Sequence, residues 1–361
     1  MSNPKVLLVS MTLGAGGAER NIVHLANWFR SSFKTGIMTL SPIDADHYAV
    51  PDGVTRHVGK LHKTQLPKAT PKFLKILINF FYLRLKVKEY SPSICICFVD
   101  EMNILLLLSL VGTGIPVIVS ERIHPAYHSI HRILNLLRPL VYRMSVRLVV
   151  QTESIAKWCQ LNWKLSGNLI SVIPNPVLPV TDKTYQNQPR AYCIGRMDSQ
   201  KNHKLLLDMF TSKDPPRLST YLIGSGTLKA HLLEQIHAHK LPITVLDPVL
   251  DVSELLYPGD ILIHCALYEG FPNVVLEAMS CGAVPVCTPF PGVESIITHE
   301  VDGLIAADFS AQAMNLCVQS LISSPHLRKK LSKNAVSTAR RHHPDNVMPL
   351  WTDLVETYRN K

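Results

Sequence analysis

Two short segments hold the residue types best suited to chemistry. In the first, Y-E-G-F-P-N-V-V-L-E-A-M-S-C-G, the carboxylates Glu269 and Glu277 stand eight positions apart. Pro272 suits the first position of a helix and Gly282 its stop, which predicts a helix of roughly ten residues. Glu269 then falls in the loop at the helix mouth, beside the unpaired N–H groups of the first turn. Asn273 and Glu277 are four apart and share a face. Carboxylates in such a place accept hydrogen bonds from vicinal hydroxyls, and an amide-rich helix mouth can also hold sugar oxygens and a phosphate. A plainer reading is also open: Glu269 as a first-turn acid that compensates the helix dipole, and Glu277 as a solvated helix residue.

The second segment is G-R-M-D-S-Q-K, where Arg196 and Lys201 stand five apart at the end of a hydrophobic run. A planar guanidinium and an ammonium point charge can grip a diphosphate from two sides; a surface pair is the alternative. The next run ends I-G-S-G (Gly224, Ser225, Gly226), a turn that allows close backbone approach. Near the start, L-G-A-G-G-A-E places Gly16 and Gly17 between a strand and a helix, suiting either an anion at the helix start or tight packing. This turn is not G-x-G-x-x-G, and the second strand ends T-L-S-P without the acid a dinucleotide site needs. The eight cysteines form no C-x-x-C pair and mostly lie in apolar runs, so they read as small buried hydrophobes in a reducing compartment. No Asp-x-Asp occurs, and we expect no bound metal and no cofactor.

These loops need a scaffold, and the chain order predicts it. Hydrophobic strands at 5–10, 35–40, 93–98, 116–120, 147–151 and 169–173 alternate with helices, the first from about Ala18 to Phe29. Strands with so few polar residues indicate a parallel sheet covered on both faces. A proline-rich polar stretch over 174–189 reads as a linker. A second set follows, A-Y-C-I-G, T-Y-L-I-G, I-T-V-L, D-I-L-I-H and V-P-V-C, each with a helix expected after it. The fold class is therefore α/β: two Rossmann-like, doubly wound parallel-sheet domains, 1–173 and 190–342, facing a deep cleft. Ligands of such sheets sit at the carboxyl ends of the strands.

Length and composition agree with two cored domains. The chain has 361 residues, 47% hydrophobic and 18% charged, which excludes a disordered chain and a coiled coil. The greasy stretch 104–120 is broken by Gly112, Gly114 and Pro116, so it reads as helix, turn and strand rather than a membrane span. The N-terminal run K-V-L-L-V-S is too short for a signal peptide and lacks a cleavage site, so none is expected.

The net charge of +10 is uneven. Residues 1–174 hold 20 basic and 9 acidic residues, whereas the rest is nearly balanced. Arg56–Lys88 carries nine basic residues and no acid, and Arg122–Arg147 carries five arginines and no acid. Both stretches also contain apolar helical patterns. A basic amphipathic surface suits an anionic membrane; a solvated helix face is the other reading. Nucleic acid is not expected, because zinc-finger spacing and RNP-like aromatics are missing.

Over almost its whole length the chain resembles the retaining GT-B glycosyltransferases of the sucrose synthase-like and glycogen synthase-like group. The resemblance rests on G-A-G-G-A-E-R, V-S-E-R-x-x-P at 119–125, I-P-N-P at 173–176, G-R-x4-K at 195–201, I-G-S-G at 223–226 and E-x7-E at Glu269 and Glu277. It implies that Arg196 and Lys201 hold the donor diphosphate, that Glu269 contacts the transferred sugar with the backbone of the segment Gly270, Phe271, Pro272, Asn273 and Val274 beside it, and that Glu277 binds the donor ribose. It further implies that Gly16 and Gly17 line the cleft from the first domain, and that the base lies near Pro248, Val249 and Leu250. His124, in S-E-R-I-H-P, is the candidate for reaching the donor sugar, against a plain loop residue. The last helix, about 343–361, would return to the first domain.

The reaction implied is transfer of a hexose or N-acetylhexosamine from a nucleoside diphosphate sugar, a UDP-sugar by family frequency, to a glycan or lipid-linked acceptor hydroxyl. It would keep the anomeric configuration, need no metal, and serve assembly of a surface polysaccharide such as an O-antigen or capsule. The expected location is cytoplasmic, peripheral on the inner membrane face. Two alternatives are a UDP-sugar 2-epimerase of the same fold and a non-enzymatic membrane-binding module.

Overall fold

The computed structural model describes residues 4–60, 71–128, 130–178, 180, 183–249 and 251–359. Leu250, the segment 61–70 of the basic run, and linker positions 179, 181 and 182 lie outside the described residues. The chain forms two units, Met1–Asn175 with Val347–Lys361, and Pro176–Asn346.

The first unit runs β1 (Lys5–Ser10), α1 (Gly17–Phe29), β2 (Lys34–Thr39), β3 (Thr55–Val58), α2 (Lys72–Tyr90), β4 (Ile94–Phe98), α3 (Asp100–Ser109), β5 (Val117–Ser120), α4 (Arg132–Tyr142), β6 (Arg147–Val150), α5 (Glu153–Trp163) and β7 (Ile170–Val172). All seven strands are parallel, in the order β3-β2-β1-β4-β5-β6-β7. Side chains alternate faces along a strand, and the core follows that period. Leu7, Val9, Cys95 and Cys97 pack with α2, α3, α4 and α5, whereas Val6, Leu8, Ile94 and Ile96 pack with α1. Both faces are thus covered, as a parallel sheet requires.

The second unit runs β8 (Ala191–Ile194), α6 (His203–Thr211), β9 (Thr220–Ile223), α7 (Lys229–Ala238), β10 (Ile243–Leu246), β11 (Ile261–His264), α8 (Asn273–Ser280), β12 (Val284–Cys287), β13 (Leu304–Ile305), α9 (Ala311–Ser323) and α10 (Pro325–Arg341). Its six strands are parallel, ordered β10-β9-β8-β11-β12-β13. The final helix α11 (Pro344–Tyr358) lays Val347, Met348, Trp351 and Val355 on the α1 face of the first sheet. There Trp351 meets Phe98 at 5.9 Å and Thr352 Oγ1 accepts from Trp28 Nε1 at 3.1 Å. Burying side chains of this size contributes about 1.5–3 kcal/mol each.

The two doubly wound parallel sheets are those expected. Three details differ. β10 and β12 are followed by single 3-10 turns, Val252–Glu254 and Val293–Ser295, not by helices. α8 starts at Asn273, with Pro272 in the capping position, and spans eight residues. Arg138, counted above among surface charges, is fully buried because it neutralises the buried Glu121. Gly112 and Gly114, with φ of +72° and +73°, make the turn that divides the greasy stretch. No helix among the described residues is long and apolar enough to cross a membrane.

Candidate active site

In an open parallel sheet the strand order reverses where one strand's neighbours lead off in opposite directions, and ligands favour the carboxyl end of that point. In the second sheet this lies between β8 and β11. The loops after β10, β9, β8 and β11 are consecutive along that edge. They carry Pro248 and Val249, then Gly224–Gly226, then Arg196–Lys201, then Glu269–Val274.

The glycines have a visible steric reason. A Cβ on Gly224 would come within 2.0 Å of the Gly195 carbonyl oxygen, and one on Gly226 within 2.4 Å of the Met197 oxygen. Met197 N donates to Ser225 O at 2.7 Å, so the loops after β8 and β9 are knitted backbone to backbone. The close approach expected from I-G-S-G is between these two loops.

Lys201 and Glu269, 68 residues apart in the chain, meet directly. Lys201 Nζ lies 2.5 Å from Glu269 Oε1. His264, at the end of β11, places Nε2 3.1 Å from the same oxygen, and Gln200 Nε2 lies 3.4 Å from Oε2. Glu269 is 8% exposed. Burial alone would raise its pKa, but the Lys201 charge and the His264 hydrogen bond outweigh it and bring the carboxyl down to about 2. An ionised Glu269 accepts only, so His264 Nε2 carries the proton in this contact. Phe290 closes against the His264 ring, 5.6 Å between centroids. Leu267 N donates to Gln200 O at 2.9 Å, tying the two loops together.

Arg196 sits on the same loop as Lys201 but reaches outward. Its side chain is 73% exposed, with Asp198 Oδ2 3.4 Å away. Asp198 Oδ1 also accepts from Lys201 N at 3.1 Å, shaping the turn between the two cations. Beyond Glu269, α8 is held by Val275, Leu276 and Met279 in the core. Asn273 N donates to Phe271 O at 2.9 Å, and Pro272 has no N–H. Gly270, Phe271 and Val274 therefore hold the N–H groups that no protein acceptor takes among the described residues. Glu277 is half-buried on α8, one turn after Asn273.

In the first unit, Gly16 caps α1 and Gly17 begins it. A Cβ on Gly16 would lie 2.1 Å from Glu19 Oε2, so the glycine makes room for the Glu19 carboxylate, whose other oxygen accepts from Thr12 at 3.1 Å. His124 is buried against Tyr127 and Trp158. Its Nδ1 accepts from Ala126 N at 3.2 Å, and burial lowers its pKa, so the neutral ring keeps its proton on Nε2.

Sequence reasoning missed His264 and Gln200. His264 sits in an otherwise apolar strand, D-I-L-I-H-C, and a lone polar residue at a strand's carboxyl end was the available signal. No group of three or more potential metal-binding side chains occurs among the described residues.

Comparison with known proteins gives the following likenesses. Residues 180–338 match the model of the family described as Glycosyl transferases group 1. A Campylobacter jejuni protein, GalNAc-alpha-(1->4)-GalNAc-alpha-(1->3)-diNAcBac-PP-undecaprenol alpha-1,4-N-acetyl-D-galactosaminyltransferase, is 23% identical over 99% of each chain. The amylovoran biosynthesis glycosyltransferase AmsD of Erwinia amylovora is 21% identical over 80% of this chain and 84% of its own. Among solved structures, Anabaena Alr3699/HepE in complex with UDP superposes with a TM-score of 0.78 at 16% identity, covering 98% of this chain and 100% of that one.

Proposed function

We propose that the chain is a glycosyltransferase of GT-B fold that moves a hexose or N-acetylhexosamine from a UDP-sugar to a hydroxyl of a lipid-linked glycan, retaining the anomeric configuration; the group 1 match at residues 180–338 and the relatives above support this reading. The observation that carries this reading is the Lys201–Glu269–His264 cluster at the reversal point of the second sheet. Lys201 and the exposed guanidinium of Arg196 take the donor diphosphate. Glu269, held ionised, accepts from hydroxyls of the transferred sugar, and Gly270, Phe271 and Val274 offer N–H groups beside it. Glu277 takes the ribose hydroxyls. Pro248 and Val249 offer backbone groups to the base. In the first unit, Gly16 and Gly17 follow β1, and His124, with its Nε2 proton, follows β5.

Bond making and breaking occur on one face of the sugar. The anomeric carbon–oxygen bond to the diphosphate breaks, the bond to the acceptor oxygen forms, and the acceptor proton passes to the departing phosphate. Catalysis is then stabilisation of negative charge on the diphosphate. Two side-chain cations and oriented N–H groups supply that charge without a divalent metal, so turnover in excess EDTA is expected to match turnover in magnesium. The reading is tested by UDP release. UDP should appear when both UDP-sugar and acceptor are present; a 2-epimerase would interconvert the sugar with no acceptor at all.

The acceptor side supports attachment to a membrane carrying the lipid. α2 and α4 both pack on α3, on the same face of the first sheet. Outward, α2 exposes Leu74, Leu77, Phe81 and Leu85, and α4 exposes Ile133, Leu136, Leu137 and Leu140, followed by Met144. Both stripes have helical spacing. Scattered exposed leucines are ordinary, but a continuous band is a contact surface. Arg132 and Arg143 flank the α4 stripe, and no acid lies between Arg122 and Arg147, which favours an anionic bilayer. Sedimentation with phosphatidylglycerol vesicles at low salt should carry the protein down. Phe81→Glu with Leu136→Glu should leave it in the supernatant. Equal pelleting of wild type and double variant would count against this surface.

A further inference from the structure

The first sheet has its own reversal point, between β1 and β4, and a strained residue stands there. Val99, directly after β4, has φ +74° and ψ 134°. A β-branched side chain rarely tolerates that region, and such strain concentrates where the fold must aim a functional group. What Val99 aims is Asp100, whose carboxylate is buried.

Asp100 Oδ2 meets His128 Nδ1 at 2.7 Å, while Oδ1 accepts from Glu101 N at 2.8 Å. Behind them, Arg138 Nη2 lies 3.5 Å from Asp100 Oδ2, and Arg138 also grips Glu121, with 3.1 Å between Nε and Oε1. Tyr142 donates to Glu121, and Asn103 Nδ2 donates to the Tyr142 hydroxyl at 3.1 Å. The His128 side chain, 37% exposed, is the outermost member. Its Nε2 has no protein partner among the described residues.

Charge decides which ligand fits. The groups that face His128 are Asp100 on α3, Arg138 on α4, and Glu121 after β5. With His128 neutral these total one negative charge, and with it protonated, none. Such a cluster repels an anion and suits a hydroxyl. Burial would raise the Asp100 pKa, but the His128 bond and the Arg138 charge hold it below its ordinary value. An ionised Asp100 therefore accepts a hydrogen bond from Nδ1–H and leaves the Nε2 lone pair outward.

Building on the glycosyl-transfer reading, we propose that His128 Nε2 receives a hydrogen bond from the acceptor sugar hydroxyl, and that Asp100, set by the strained Val99 turn, is the residue that positions it. The step is a hydrogen bond; no proton leaves the acceptor at this residue.

The pH dependence has a definite sign. The hydrogen bond to Asp100 raises the His128 pKa above 6.5. Protonation removes the lone pair, so acceptor kcat/KM falls as pH drops through that raised value. Three variants should differ in kind. His128→Ala should raise the acceptor KM about tenfold, the worth of one such bond. Asp100→Asn should move the acid limb to lower pH. His128→Gln, whose amide oxygen can accept at a similar place but does not titrate, should recover most of the His128→Ala loss and flatten the limb.

The assay uses UDP-N-acetylhexosamine with a synthetic polyprenyl-diphosphate-linked N-acetylhexosamine and reads UDP release, with melting curves as the check on folding. Wild type that releases no UDP overturns the parent reading and this one together. Wild type that releases UDP, with an acid limb unmoved in Asp100→Asn and no rescue by His128→Gln, overturns this inference alone.

Discussion

The reversal points of the two sheets are built from the same parts and arranged in opposite ways. At the second sheet, a lysine and a glutamate from separate loops meet near the surface, with an exposed arginine beside them. At the first, the strong ion pair is sealed: Arg138 and Glu121 are 0% and 1% exposed, and only a histidine reaches outward. A surface that presents cations can exchange an internal carboxylate for a ligand's phosphate. A surface that buries its cation behind two carboxylates presents a neutral hydrogen-bonding tip. On the proposed reading, one unit carries an anion grip and the other a hydroxyl contact.

The sharpest way to break the comparison is to unseal the first cluster. Arg138→Met should destabilise the first unit by about 3–5 kcal/mol, because it leaves Glu121 buried without its counter-charge. Calorimetry would show this as a lowered transition. Exchanging both residues for apolar ones, Arg138→Met with Glu121→Leu, should recover much of the loss. A small effect from Arg138→Met would mean that water reaches the cluster, and the contrast with the second unit would fall.

In the second unit the same kind of cut should appear in rate. Lys201→Ala should lower transfer kcat about a hundredfold, by analogy with removing one donor to a developing anion, read by single-turnover UDP release. Its pH signature is separate. Glu269, depressed to about 2, stays ionised at any working pH and sets no acid limb in wild type. The stability it contributes is present above the ordinary carboxylate value and is lost as pH falls towards about 2. Without Lys201, burial acts with less opposition, the carboxyl rises, and a new acid limb should emerge in the variant.

The contrast between the units was only half legible in the sequence. The buried strands could be read because covered parallel strands are nearly all apolar; β3, T-R-H-V, and the two-residue β13 could not, because edge strands are short or polar. Arg196, Lys201, Glu269 and Glu277 stood out by type and motif. Their mutual contact did not, since Lys201 and Glu269 meet only through the strand order. Asp100 and Arg138 were invisible for a different reason. Each reads as an ordinary helix charge, and burial, a tertiary property, is what changes their chemistry.

The smallest effect probes whether the first reversal point stores strain as the second does not. The positive-φ positions in the loops of the second site are the glycines Gly195, Gly224 and Gly226, where a side chain would clash or distort the turn, and Asn202, a residue type that tolerates the left-handed region. Val99 is not a glycine, so Val99→Gly removes a penalty of order 1–3 kcal/mol. It also loses part-buried packing and adds about 0.5–1 kcal/mol of unfolded-chain entropy. These oppose, and we expect a net change within about 1 kcal/mol by chemical denaturation. Val119→Gly, in the buried β5 strand with no strain to relieve, should cost several times more. If Val99→Gly kept stability but raised the acceptor KM, the strained turn would be aiming Asp100 at His128; if the two glycine variants were equally damaging, Val99 would be an ordinary packing residue.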